Sequence, residues 1–172
     1  HRWTSLDQLY TVPSRVVEAA PALADWIRDA VDRPVLIGPD SESEQWVAAV
    51  ARRLGAPHVV LAKTRHGDRD ISIDASALGS WPGATPVLVD DTISSAHTMI
   101  EAVKAIRAQG LVAPVCCAVH GLHDAASLAA LRASGPAAIV TTNTIASDTA
   151  TIDISALIAA ALQAGGQDAD GG

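Results

Sequence analysis

Short apolar runs alternate along this chain with segments whose apolar residues recur at helical spacing. Each run has the length of a buried strand, and each amphipathic segment has the length of a helix. The predicted strands span 34–37, 57–62, 86–89, 113–119 and 137–141, and the helices between or after them span 44–54, 99–109 and 127–133. Strands that alternate with helices are typical of βαβ units. The pattern therefore predicts an α/β fold, with an open, mainly parallel sheet flanked by helices.

The two ends of the chain continue this pattern more weakly. Apolar residues from Val16 to Ile27 have helical spacing, and a short strand at 152–154 precedes a capped helix at 155–163. Residues 165–172 are rich in Gly, Asp and Gln and contain no large apolar residue, so they are predicted to be disordered. We therefore expect one domain over 1–164 and a disordered tail over 165–172.

The amino-acid composition limits which residue types can form the core and which classes of partner the protein can bind. The 172 residues are 49% hydrophobic but only 3% aromatic, with no Phe, so the core must consist of Ala, Val, Leu and Ile. A formal net charge of -7 argues against nucleic acid or an anionic membrane as a partner. No apolar run reaches a membrane span, and no signal-like start is visible, which predicts a cytoplasmic protein. Cys116 and Cys117 are adjacent in an apolar run and are expected to be buried thiols.

Candidate chemistry is concentrated where the strand 86–89 ends. Asp90 and Asp91 close this strand, and Ser94, Ser95 and Thr98 lead into the next helix. Backbone N–H groups at a helix start attract phosphate, and carboxylates just upstream accept hydrogen bonds from sugar hydroxyls. The stretch therefore predicts a sugar phosphate ligand. The alternative is an ordinary strand-to-helix turn in which Asp and Ser serve only as caps.

Two other strands end in charged residues. Asp40 follows the first strand, so Asp40 and Asp90 are predicted to face one cleft at the carboxyl edge of the sheet, where they can share a magnesium ion. Taken alone, Asp40 is more typical of a helix cap than of a metal ligand, but the second acidic loop favours the ligand. Lys63 and Arg65 follow the second strand and suit a mobile arm that closes over phosphates, or else a solvated surface hairpin. His120 and His123 lack a third ligand at zinc spacing.

These three loops together resemble motifs of the 5-phosphoribosyl 1-diphosphate (PRPP) synthetases, whose fold is that of the type I phosphoribosyltransferases. The segment 90–98, DDTISSAHT, lies over a loop of two acids, spacers and Thr-Gly-Gly-Thr. Gly-Pro-Asp at 38–40 resembles Ser-Pro-Asp-x-Gly-Gly, and Lys-Thr-Arg at 63–65 matches Lys-x-Arg. The chain departs from the family by replacing four glycines, with Glu42, Ser43, Ala96 and His97.

The resemblance is to the C-terminal half of these enzymes and implies a ribose-phosphate diphosphokinase, which transfers diphosphate from ATP to the C1 hydroxyl of ribose 5-phosphate. It implies catalytic roles for Lys63 and Arg65 and a Mg²⁺ ligand at Asp40. The ribose 5-phosphate site is then formed by Asp90, Asp91, Ser94, Ser95, Ala96, His97 and Thr98. Most of the ATP site is expected in a missing N-terminal half, so this chain alone should be inactive, and a homo-oligomer is expected.

Two alternatives remain open at this point. A salvage phosphoribosyltransferase holds the same sugar phosphate but uses PRPP as its substrate, and a PRPP synthetase-related regulatory subunit is compatible with the four replaced glycines. The Lys-x-Arg position, Asp-x-Leu-Tyr at 7–10 and Thr-Asn-Thr-Ile at 142–145 favour the synthetase. A salvage enzyme also needs a base-binding hood, for which the sequence offers no segment.

Overall fold

The computed structural model describes residues 6, 9–12, 14–65 and 71–169, and only the backbone of 62–65, 71–74 and 165–169. The chain divides into two compact units. One unit comprises residues 20–153, and the other comprises both chain ends, 1–19 and 154–172. Within the described part of the chain, no helix is both long enough and apolar enough to cross a membrane.

The unit 20–153 contains a six-stranded parallel sheet, which confirms the predicted α/β fold. Its strands are β1 (Pro34–Gly38), β2 (His58–Val60), β5 (Thr85–Ile93), β6 (Val115–Gly121), β7 (Ala138–Thr142) and β8 (Ala150–Ile152). The spatial order is β2-β1-β5-β6-β7-β8. The chain adds β2 on one side of β1 and β5 to β8 on the other side, so the strand order reverses between β1 and β5. Open α/β sheets bind ligands in the crevice that the carboxyl ends of two such strands form.

Among the described residues, four α-helices accompany the sheet within this unit, and a fifth belongs to the other unit. They are α1 (Ala20–Ala30), α2 (Glu44–Leu54), α3 (His97–Ala108), α4 (Ala125–Ser134) and α5 (Ser155–Ala169). Helix α2 has the bounds that its spacing predicts. Helix α3 buries Met99, Ala102, Val103 and Ile106, which occupy positions i, i+3, i+4 and i+7 and so share one face. The core is thus aliphatic, as the absence of Phe requires.

Cys116 and Cys117 lie on β6 and are both fully buried free thiols. Burial disfavours the thiolate and raises the pKa of each thiol to about 12. Neither thiol is therefore a nucleophile or a ready metal ligand, in agreement with the prediction that they are core residues.

A two-stranded antiparallel hairpin carries the predicted cationic arm. It consists of β3 (Ala62–Arg65) and β4 (Ile71–Asp74), with Lys63 opposite Ile73 and Arg65 opposite Ile71. The connecting residues 66–70 lie outside the described residues. Strand β4 contains Ile71-Ser72-Ile73, whose apolar and polar residues alternate as in an edge strand.

The structure corrects several boundaries, including those of β5, α1 and α5. Strand β5 continues four residues past Val89, because its pairing with β6 extends to Ile93. Helix α1 begins at Ala20, so Val16 and Val17 precede it and are exposed. Helix α5 extends to Ala169, six residues past the predicted end at Gln163. The disordered tail over 165–172 stays a prediction, and residues 170–172 lie outside the described residues. A glycine inside a helix costs only about 1 kcal/mol relative to alanine. Gly165 and Gly166 therefore do not end this helix.

Candidate functional site

The segment that joins β5 to α3 surrounds a small hollow at the carboxyl edge of the sheet. The hollow has a volume of about 60 Å³, and its lining residues are Asp90, Thr92, Ile93, Ser94, Ser95, Ala96, His97, Thr98 and Met99. One water requires roughly 10–15 Å³ measured in this way, so the hollow accommodates several waters or one phosphate-sized anion. It therefore brings together six of the seven residues predicted to bind the sugar phosphate. Asp91, the seventh, is not among them.

Ala96 gives the loop its shape. Its φ of 60° places it in the left-handed region, although it is not a glycine. Its carbonyl accepts the N–H of Ile100 at 2.9 Å, which is the first helical hydrogen bond of α3. Ala96 is also 4% exposed, so its methyl group packs into the core. The backbone thus adopts the conformation that a glycine would favour, with an alanine in its place.

The start of helix α3 faces this hollow. The first N–H groups of a helix have no intrahelical acceptor, and Ala96 at the N-cap contributes no side-chain acceptor either. His97 and Thr98 are the first two residues of the helix, and His97 is exposed. Helix starts with free N–H groups bind phosphate through these groups and the helix dipole. The geometry is therefore compatible with an anion, and the binding of a sugar phosphate stays a prediction.

Asp90 is the acidic side chain of the hollow, and it is half-buried. Burial raises its pKa from 3.8 to about 7. The backbone N–H of Asp91, 2.9 Å from Asp90 Oδ1, opposes this shift, whereas the negative charges of Asp91 and Asp40 add to it. Because Asp40 acts on Asp90 through its charge, these two carboxylates share one electrostatic environment, as their positions after neighbouring strands predict.

Asp40 also caps the short 3₁₀ helix Ser41–Ser43. Its Oδ1 accepts the N–H of Glu42 at 3.1 Å, and Ser43 Oγ donates to the carbonyl of Asp40. Ser43 is fully buried, so this capping box fixes the position of the loop. The capping alternative for Asp40 is therefore correct. A role as metal ligand stays a prediction, and it is compatible with the cap because a carboxylate has a second oxygen.

Sequence reasoning missed three residues of the hollow: Thr92, Ile93 and Met99. Thr92 and Ile93 were interpreted as spacers in a loop, but both belong to β5. Alternate residues of a strand lie on one face, so Thr92 follows from Asp90 once the strand is known to continue. The side chains of Lys63 and Arg65 lie outside what the structure describes, and their catalytic role stays a prediction.

Comparison with known proteins identifies relatives of this chain. A family model described as a phosphoribosyl transferase domain matches residues 5–144. The ribose-phosphate pyrophosphokinase of Methanopyrus kandleri is 30% identical over 156 residues, which make up 90% of this chain and 53% of that protein. That of Methanobrevibacter smithii is 23% identical over 165 residues, 90% of this chain and 55% of that protein. The chain thus spans about half the length of these curated relatives.

Solved structures with the same fold include two enzymes. The phosphoribosylpyrophosphate synthetase from Mycobacterium smegmatis superposes with a TM-score of 0.73 at 24% identity, covering 87% of this chain and 51% of that chain. The orotate phosphoribosyltransferase from Aeropyrum pernix gives a TM-score of 0.54 at 17% identity, covering 84% and 75%. At these identities the two likenesses establish the fold.

Proposed function

This chain belongs to the phosphoribosyl transferase domain family, and from that membership we propose that it supplies the ribose 5-phosphate and diphosphate site of a ribose-phosphate diphosphokinase. The proposed reaction transfers diphosphate from ATP to the C1 hydroxyl of ribose 5-phosphate and releases AMP. The similarity to ribose-phosphate pyrophosphokinases over 90% of the chain supports this choice of reaction.

One observation carries the proposal: nine residues of one continuous segment line a phosphate-sized hollow at the start of a helix. In this proposal the 5-phosphate binds the N–H groups of His97 and Thr98 and the hydroxyls of Ser94 and Ser95. The carboxylate of Asp90 accepts hydrogen bonds from the ribose hydroxyls, whereas Asp91, which does not line the hollow, stays a predicted ligand. Together these contacts would hold the sugar in one orientation.

The left-handed backbone conformation of Ala96 favours a catalytic over a regulatory role for the chain. The four replaced glycines suggested a degenerate binding loop, but the backbone at Ala96 keeps the conformation that a glycine permits. Hydrogen bonds from backbone N–H groups to a substrate depend on the backbone conformation. The conformation at Ala96 is therefore compatible with binding. Lys63 and Arg65 are proposed to stabilise negative charge on the transferring diphosphate.

The acidic residues of the crevice fit a magnesium ion. Mg²⁺ in nucleotide enzymes is held by one or two carboxylates together with substrate phosphates and water, rather than by a cage of protein ligands. Within the described part of the chain there is no cluster of three or more His, Cys, Asp or Glu placed to hold a metal. Asp40, with Asp90 close enough to sense its charge, is the proposed ligand. When bound, the ion would neutralise charge on the diphosphate.

The length of the relatives bears on what the chain can do alone. Because the chain spans about half of them, we propose that it corresponds to the C-terminal half of a cytoplasmic enzyme whose N-terminal half provides most of the ATP site. We propose a homo-oligomer as the complete assembly. Alone, the chain should bind ribose 5-phosphate weakly and should not turn over.

Calorimetry of this chain with Mg²⁺ and, in turn, ribose 5-phosphate, PRPP and ATP tests the proposal. We expect binding of ribose 5-phosphate and PRPP with little binding of ATP. Absence of binding for both sugar phosphates would overturn the proposal. Tight binding of a purine or pyrimidine base in the presence of PRPP would instead identify a salvage phosphoribosyltransferase.

Complementation tests the catalytic role of the cationic arm. Adding a separately expressed N-terminal half of a relative should restore PRPP formation, and Lys63→Ala should abolish it. Lys104 is the chain's other lysine and is exposed on α3 in an ion pair with Glu101. Lys104→Ala is therefore the matched control and should leave the activity intact. No activity from a correctly folded mixture would favour the regulatory subunit.

A further inference from the structure

A histidine of the neighbouring strand lies beside the hollow. Strand β6 runs parallel to β5, and His120 is paired in register with Thr92, which lines the hollow. Neighbouring strands are roughly 4.8 Å apart, and paired residues lie on the same face of the sheet. His120 is half-buried. His120 therefore lies near the carboxyl edge of the sheet, on the strand next to the one that carries Thr92.

Thr144 holds one nitrogen of this imidazole. The Oγ1 of Thr144 is 2.9 Å from Nδ1 of His120 and 3.2 Å from the carbonyl oxygen of Val119. The Oγ1 of Thr142 lies 2.8 Å from the same carbonyl and 3.1 Å from Thr144 Oγ1. Two hydroxyls from the end of β7 thus connect the ring to the backbone of β6. The position of the ring is fixed by the fold before any ligand binds.

The hydrogen bonds leave the other ring nitrogen available. If the Thr144 hydroxyl donates to Nδ1, then Nε2 carries the proton; if it donates to the Val119 carbonyl, then Nδ1 carries a proton and donates to Thr144. Either arrangement uses Nδ1, and among the described residues Nε2 has no hydrogen-bond partner. His123 differs, because its Nε2 is 3.0 Å from Oγ1 of the buried Thr149.

We propose that His120 is a further ligand-contacting residue of this site, which hydrogen-bonds through Nε2 to the phosphorylated sugar, and that Thr144 is its positioning residue. The inference rests on the proposed function for the identity of the ligand. The geometry of the pair, with Nδ1 of His120 held by Thr144 and the backbone of His120 paired with that of Thr92, is independent of that function. A hydrogen bond to an anionic ligand is stronger than one between neutral groups.

Calorimetry of the full chain with ribose 5-phosphate and Mg²⁺ tests the contact. His120→Ala should weaken binding about tenfold or more, the effect of removing one hydrogen bond to a charged group. His58→Ala removes an exposed histidine on the edge strand β2 and should leave the affinity unchanged. If His120→Ala binds as tightly as the unaltered chain, the inference is wrong and the proposed function stands. If the unaltered chain does not bind, both are wrong.

Thr144 variants test the positioning role. Thr144→Val removes the hydroxyl and keeps the shape, and it should weaken binding about threefold or more. Thr144→Ser restores the hydroxyl and should restore the affinity. Nitrogen-detected NMR of the histidine ring, without any ligand, should show a changed tautomer balance of His120 in Thr144→Val and an unchanged one in Thr144→Ser. An unchanged tautomer balance of His120 in Thr144→Val would show that Thr144 does not position the ring, whichever ligand the chain binds.

Discussion

The carboxylate of Asp90 accepts the backbone N–H of the adjacent Asp91, with 2.9 Å between Oδ1 and N. This bond favours the charged form of Asp90, but burial opposes it more strongly and raises the pKa to about 7. Two further carboxylates, on Asp91 and Asp40, repel a charge at Asp90. The site thus contains an acid that stays partly protonated near neutral pH until a cation or a ligand compensates its charge.

The raised pKa predicts how Asp90 affects stability. In the unfolded chain the carboxyl has a pKa of 3.8, so between that value and about 7 the folded state binds more protons than the unfolded state. The free energy of unfolding should therefore fall as pH rises through this range. Asp90→Asn cannot ionise and avoids this loss. Relative to the unaltered chain, it should gain up to about 4 kcal/mol above pH 7 and almost nothing near pH 4.

Urea unfolding of both proteins across this pH range measures the difference. Asp124→Asn is a control of opposite sign, because the N–H of Ser127 lowers the pKa of Asp124 at the start of α4. That variant should lose stability at neutral pH, and the loss should fade as the solution becomes acidic. Parallel stability curves for Asp90→Asn and the unaltered chain would contradict the assignment of a raised pKa.

The left-handed backbone at Ala96 gives a second prediction. Ala96→Gly relieves a strain of roughly 1–2 kcal/mol but loses a buried methyl and gains unfolded-state freedom, so stability should change by less than about 1 kcal/mol. Ala96→Val places a β-branched side chain at φ 60° and should cost more than about 2 kcal/mol. Thermal unfolding distinguishes them. A valine variant as stable as the glycine variant would show that the loop has another conformation.

Much of this fold follows from the sequence, and the failures have physical causes. The apolar runs located the central strands because buried parallel strands are apolar throughout. The end of β5 was missed because Asp90, Asp91 and Thr92 are polar, whereas their strand geometry comes from pairing with β6. That pairing is a tertiary effect, which local pattern does not contain.

The site was predicted in a similar way. The acids and hydroxyls of 90–98 predicted an anion site from their chemistry, and the hollow that they line is compatible with that prediction. The conformation of Ala96 was left open, since an alanine gives no sign that the surrounding helix and core hold it at positive φ. The proposed role of His120 could not be predicted from the sequence either, because it depends on a hydrogen bond to Thr144, which is 24 residues away.

A third prediction concerns the close packing behind Asp40. A methyl group at Gly38 would lie 2.6 Å from Ser43 Oγ and 3.2 Å from a methyl of Val60. Gly38→Ala must therefore displace Ser43, which is fully buried and closes the capping box of Asp40. We expect a loss of about 1–3 kcal/mol from overpacking, together with weaker Mg²⁺-dependent binding of PRPP.

Removing the clashing atom should relieve part of this loss. Ser43→Ala lacks Oγ, so the double variant Gly38→Ala, Ser43→Ala should be more stable than the sum of the single effects by roughly 0.5 kcal/mol or more. Urea unfolding of the four proteins completes the cycle. Strictly additive effects would show that Ser43 is not what the new methyl group meets.

The last prediction concerns a buried hydroxyl network at the start of β8. The Oγ1 of Thr149 lies 3.0 Å from three side-chain atoms, His123 Nε2, Thr141 Oγ1 and Ser147 Oγ. Thr141 and Thr149 are both almost fully buried, so water cannot replace a lost bond between them.

Because a buried polar group without its partner costs about 1–3 kcal/mol, Thr149→Val should destabilise the chain by that amount. Thr149→Ser keeps the hydroxyl and should recover most of the loss. Thr151→Val alters an exposed position on β8 and should stay within about 0.5 kcal/mol of the unaltered chain. Chemical denaturation provides all three values. If the valine variant at Thr149 is as stable as the one at Thr151, the three short contacts contribute nothing and the ends of β6, β7 and β8 are held by backbone pairing alone.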